Sequence, residues 1–155
     1  MPKPSPKKIK LARKKLLAPA LVTLAVLALF LPYFFAIPQT VKLTVGQRIV
    51  RLYTAKTPAA QERGLSGRAD LATDRGMLFV FENPEKVCLW MKDMGFSLDM
   101  LWLDGDKKVL QIQQNAIPES YPEKFCATSD AKYVIELRAG QVKALGIRMG
   151  QPLDF

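Results

Sequence analysis

The chain has 155 residues, 49% of them hydrophobic, with 23 Lys and Arg against 14 Asp and Glu and no histidine. The missing histidine excludes Ser-His-Asp and Cys-His nucleophile systems and most zinc sites, so neither a metal site nor a cofactor is expected. Seven of the basic residues fall in residues 1–15, leaving 16 against 14 acids beyond them. The folded part therefore lacks the basic face that nucleic-acid binding requires, and no nucleic-acid partner is expected.

Residues 1–15 form a basic tail. Leu16 to Ile37 is an uncharged run of 22 residues, which as a helix extends about 33 Å, enough to cross a hydrocarbon core of about 30 Å. The positive charges before it are expected to stay in the cytoplasm, with everything after Ile37 outside. A cleaved signal is the competing expectation. The run is longer than such a signal's apolar stretch, however, and Phe34 stands where a small-x-small site before Ala36 needs a small residue. The sequence thus predicts an uncleaved signal anchor over residues 16–37, single-pass in the cytoplasmic membrane, with the lipid bilayer as its partner. Residues 38–155 follow as an extracytoplasmic domain, periplasmic or extracellular; both alternatives export it.

In that domain Val41–Val45 alternates as a half-buried strand, and Ile49–Tyr53 reads as a second. Thr57-Pro58 marks an N-cap with proline at the first helical position, and Gly64 is expected to close the short helix in a left-handed conformation. Met77–Phe81 is a buried strand ended by Asn83-Pro84, and Val87–Met91 is another. Asp99–Leu103, Asp104-Gly105 and Val109–Gln113 predict a hairpin whose glycine supplies the positive-φ turn. Residues 115–130, with Pro118 and Pro122, read as an irregular excursion. A strand over Tyr133–Leu137, a helical stretch over Gln141–Leu145 and a last short strand between Gly146 and Gly150 complete the chain. Many short strands separated by turns argue for a mainly β fold: a small, antiparallel sandwich-like domain or partly closed barrel with one or two short helices, preceded by a single transmembrane helix.

Cys88 and Cys126 are the only cysteines. In an exported domain a structural disulfide is the simplest reading, worth about 3–4 kcal/mol for this loop length; the alternative is two unrelated thiols, with Cys88 a small core residue. Cys88, Trp90 and Lys92 would share one strand face. Lys92 could meet Asp99, Arg63 and Arg68 around a cleft for a small anion or a sugar, or simply emerge into solvent. Glu136, on the face opposite Tyr133 and Ile135, is either an acid near that cleft or an exposed residue. A two-carboxylate hydrolase would pair Asp99 with Glu136 about 5–9.5 Å apart, and spacing alone does not bring the two together.

Taken in order, Arg63-Gly64-Leu65-Ser66-Gly67-Arg68, Gly76-Met77-Leu78-Phe79-Val80-Phe81, Trp90-Met91-Lys92-Asp93, Leu98-Asp99 and Tyr133–Gly140 closely resemble the bacterial and archaeal family known as domain of unknown function 192. The resemblance covers about residues 41–155. It implies a compact, mainly β, commonly exported fold with no established activity. It also implies a polar signature on Arg63, Arg68, Lys92, Asp99 and Glu136, with Trp90 among them. The chain departs from the family's usual pattern at three places: Asp93-Met94 replaces Asn-Thr, Ser97 replaces proline, and Ser66 replaces methionine. The function expected is a membrane-anchored binding or structural module of the cell envelope, with an anionic or carbohydrate ligand at Arg63, Arg68, Lys92 and Asp99. The alternatives are a histidine-free hydrolase of envelope glycans using Asp99 and Glu136, and a chain whose conspicuous residues serve only the fold.

Overall fold

The structure, a computed structural model, describes residues 39–155. The basic tail and the expected anchor over residues 16–37 lie outside the described residues. Among those described, no helix is long and apolar enough to cross a membrane.

Eight strands, two short α-helices and one 3-10 turn make up the domain. The strands are β1 (Thr40–Val45), β2 (Arg48–Ala55), β3 (Arg75–Glu85), β4 (Cys88–Trp90), β5 (Leu98–Leu103), β6 (Val109–Ala116), β7 (Lys124–Cys126) and β8 (Ala131–Arg138). The helices are α1 (Pro58–Arg63) and α2 (Gln141–Leu145), and the 3-10 turn is Pro118–Ser120. Six strands form one sheet in the order β1-β2-β3-β8-β5-β6, and β4 pairs with β7 as a separate ribbon. The sheet is mixed, not antiparallel throughout, because β2 and β3 run parallel. Parallel neighbours need a crossover, here α1 with the loop that follows it.

Both faces of the sheet are buried. On one, Leu43, Leu52, Leu78, Leu101, Ile135 and Leu137 pack with Val142 of α2 and Leu153. On the other, Met77, Phe79, Met100, Trp102 and Val134 are covered by Leu65 and Leu71 of the crossover and by Val87, Met91 and Ala127 around the ribbon. Central strands buried on both faces read as continuous apolar runs, and Leu98–Leu103 is buried at every position. The tail of the chain touches both outer strands: Thr44 bridges Asp154, and Lys108, just before β6, bridges Pro152. The result is a partly open, curled sheet.

Several sequence expectations are corrected in detail. Thr57 caps α1 as expected, its hydroxyl accepting from the Ala60 N–H at 3.3 Å. Gly64, with φ 50 and ψ −129, is not in the left-handed helical region. Asn83-Pro84 does not end β3, which runs on to Glu85 through a register shift after Val80. In the β5–β6 turn the positive φ falls on Lys107, not Gly105, because the Asp104 carboxylate accepts from the N–H groups of Asp106 and Lys108 (both 2.9 Å) and shapes a longer turn. The excursion over residues 115–130 contains the 3-10 turn and β7. Residues 147–150 form a turn, not a strand, and strand-like pairing comes later, at Pro152 and Asp154.

Candidate functional site

The ribbon is tied to the main sheet at its root. The Val87 carbonyl accepts from Trp102 Nε1 at 3.2 Å and from the Ala127 N–H at 2.8 Å. Cys88 and Cys126 face each other across the ribbon and are joined by a disulfide. The bridge closes the long excursion onto β4, and both cysteines are exposed.

Between the ribbon, the sheet and the end of α1 lies a cavity of about 220 Å³. Its walls are Phe79 and Phe81 of β3, the stretch Val87 to Trp90, Met94, and the turn from Gln61 to Ser66. Gly64 belongs to that turn, and its positive φ suits glycine. A β-carbon there would also stand 3.4 Å from the Phe79 ring. Gln61 anchors the turn by donating from Nε2 to the Val80 carbonyl at 2.9 Å.

One side chain in this cavity is ionisable and buried: Glu136 of β8, 5% exposed. Its neighbours across the sheet are Met77 and Met100. Its Oε2 has no hydrogen-bond partner, which is costly for any buried polar atom and more so for a charged one. With methionines on both sides in the sheet and no hydrogen bond to Oε2, burial pushes the carboxyl up to about 8. At neutral pH it is mainly a neutral acid able both to donate and to accept a hydrogen bond.

The other predicted residues are divided. Trp90 lines the cavity, with its indole edge-on to Tyr121 and Lys124 Nζ 5.5 Å above its ring. Arg63 lines both the cavity and a shallower neighbouring depression that also contains Lys92. Lys92 sits in a turn after β4, not on a shared strand face with Cys88 and Trp90. Glu62 and Asp93 border the same depression, so its charge is balanced rather than cationic. Arg68 lines neither hollow; its guanidinium lies 4.5 Å above the Tyr53 ring, a cation–π contact that stabilises the crossover.

Asp99 is not part of the site. Leu98, Met100 and Trp102 face the cavity side of the sheet, so strand alternation turns Asp99 to the other face. There its Oδ1 accepts from the Asn115 N–H and its Oδ2 from the Val142 N–H, each at 3.0 Å. The second bond caps α2, whose N-cap Gly140 has no side chain to do so. The carboxylates of Asp99 and Glu136 therefore flank no common bond, and the glycosidase pairing fails on geometry.

The family blocks acquire local roles from these contacts. The Ser66 hydroxyl donates to the Lys92 carbonyl at 2.9 Å, and the Gly67 N–H donates to the Asp93 carbonyl at 2.8 Å. Asp93 has φ 55, a left-handed conformation that Asn and Asp tolerate better than most residues. Asp93 in place of the family's asparagine thus preserves a turn. The model of the family described as uncharacterized ACR, domain of unknown function 192, matches residues 41–155. The chain belongs to this family. Two crystal structures resemble this member of domain of unknown function 192. One, from Sinorhizobium meliloti and proposed to be a transcription regulator, is 35% identical with a TM-score of 0.68, over 74% of this chain and 91% of that one. The other, a protein of unknown function from Novosphingobium aromaticivorans, is 30% identical with a TM-score of 0.71, over 77% and 88%. No curated protein matches.

The aromatic and aliphatic walls at Phe79, Phe81, Leu89 and Met94 were not singled out from sequence. Their signal was Glu136 itself, a lone acid inside the apolar run from Val134 to Leu137.

Proposed function

We propose that this member of domain of unknown function 192 is a membrane-tethered, extracytoplasmic binding module that takes a small ligand into the Glu136 cavity. Residues 16–37 act as an uncleaved anchor in the cytoplasmic membrane, residues 1–15 stay in the cytoplasm, and the β domain works at the outer surface. The observation that carries the binding role is the unpartnered, buried Oε2 of Glu136 in a cavity with apolar walls. Such an atom calls for a hydrogen-bond partner, which a ligand entering the cavity would supply. A cavity of about 220 Å³ is larger than the roughly 150 Å³ that accepts benzene. The Cys88–Cys126 bridge supports export, because disulfides persist in oxidising compartments.

Of the anionic or carbohydrate ligand expected from sequence, the balanced charges at Arg63, Lys92, Glu62 and Asp93 disfavour the anionic one and favour an uncharged envelope ligand. The role proposed for the Sinorhizobium protein does not carry over, because the basic excess of this chain lies in residues 1–15. Two measurements test the proposal. Protease added to intact spheroplasts should digest the β domain; protection would refute the outward topology. Met94→Trp, which fills the cavity, should abolish capture of small envelope metabolites detected by native mass spectrometry while the domain stays folded. Undiminished capture would rule out the cavity as the site.

A further inference from the structure

The chemistry of the cavity narrows the ligand class. We infer that the Glu136 cavity recognises a small molecule with an aromatic or apolar body and a neutral primary-amide or lactam edge. The inference rests on the binding role proposed above and extends it to the group that meets Glu136.

Three observations converge on this class. First, the polar group available inside is a carboxyl whose Oε2 lacks a partner. A neutral carboxyl offers an O–H donor beside a C=O acceptor. An amide with its N–H and C=O on the same side matches both at once through two parallel hydrogen bonds. Secondary amides in the usual trans form, ketones and hydrocarbons cannot do so. Second, the walls at Phe79, Phe81, Leu89 and Trp90 supply apolar and aromatic surface for a flat body. Third, among the described residues the cation that lines the cavity, Arg63, is exposed at the end of α1 beside Glu62 and forms no ion pair with Glu136, so it is not placed to neutralise a second buried carboxylate. An anionic ligand would lose hydration without repayment, whereas a neutral amide exchanges its water contacts for the carboxyl.

The probes are benzamide, N-methylbenzamide and benzoate, titrated into the full chain in lipid nanodiscs. The readout is the ¹³C-methyl resonance of Met94, assigned by its loss in Met94→Leu. Benzamide is expected to bind at least about tenfold more tightly than either other probe near pH 6.5, the loss of one or two buried hydrogen bonds being of that order. Raising the pH above about 8 should weaken benzamide by about tenfold in all, because ionised Glu136 loses its donor. Glu136→Gln keeps an adjacent donor and acceptor, so it should bind benzamide with a flat pH profile. Glu136→Leu should lose at least about tenfold in affinity. If the probes shift Met94 equally, or Glu136→Gln keeps the wild-type pH dependence, the amide assignment is overturned while the cavity remains a binding site. If no probe shifts Met94 at any pH, the binding role falls with it. Should Glu136→Leu fail to fold, the Gln variant and the pH profile still decide.

Discussion

Replacing Glu136 by glutamine should make the protein more stable in mildly alkaline solution, and the size of the gain follows from burial. The folded state holds the carboxyl proton up to about pH 8, against the usual 4.5 for glutamate. Between those values the native state binds one more proton than the unfolded chain, so this group's contribution is fully present below pH 4.5 and falls as pH rises. The slope is about 1.4 kcal/mol per pH unit, and the whole window amounts to about 5 kcal/mol. Glutamine does not titrate, so the stability difference between Glu136→Gln and the wild type should grow in favour of the variant from pH 5 to pH 8. It should then level off. Urea unfolding of both proteins at half-unit pH steps isolates this term, because every other titrating group cancels in the difference. A difference that stays constant across the window would mean that the carboxyl titrates normally and that the cavity solvates its charge. The neutral-acid chemistry would then collapse.

Three further outcomes are expected. Asp99→Ala should cost about 2–5 kcal/mol in urea unfolding, since it strands the N–H groups of Asn115 and Val142, and should leave benzamide binding unchanged. Reduction of the Cys88–Cys126 bridge should lower stability by up to about 4 kcal/mol, read by calorimetry with and without a phosphine reductant, while the six-stranded sheet keeps its far-ultraviolet dichroism. Gly76→Ala should destabilise by about 1–3 kcal/mol or more. The added carbon would stand 2.7 Å from the Glu136 carbonyl oxygen and from Leu52 Cδ2; a melting temperature equal to the wild type would contradict that packing.

The mainly β architecture was legible because strands such as Met77–Phe81 and Leu98–Leu103 are unbroken apolar runs, and because Thr57-Pro58 is a strong local start signal. The parallel β2–β3 pair was not, because its crossover holds only six helical residues and shows no long amphipathic stretch. Glycine in Asp104-Gly105 was a plausible turn centre, but the Asp104 side chain, bonding to two backbone groups ahead of it, decided the turn. For the site, residue type was informative and position was not. Glu136, Trp90 and Arg63 line the cavity, whereas Asp99, also a carboxyl and also buried, lies on the opposite face. Only strand register separates a capping carboxylate from a cavity one: β5 pairs with β8 without a break, and the extra residue that brings the Asn115 N–H to Asp99 lies in β6, between Gln113 and Ala116.

The contacts of residues 151–154 with both outer strands have a bearing on solubility. An uncovered strand margin is a template for other chains, and here one short segment guards two of them: Asp154 receives the Thr44 N–H, and the Gln151 carbonyl receives that of Val109. Deleting residues 151–155 would unlatch β1 and β6 together, leaving opposite rims of the same molecule ready to polymerise head to tail.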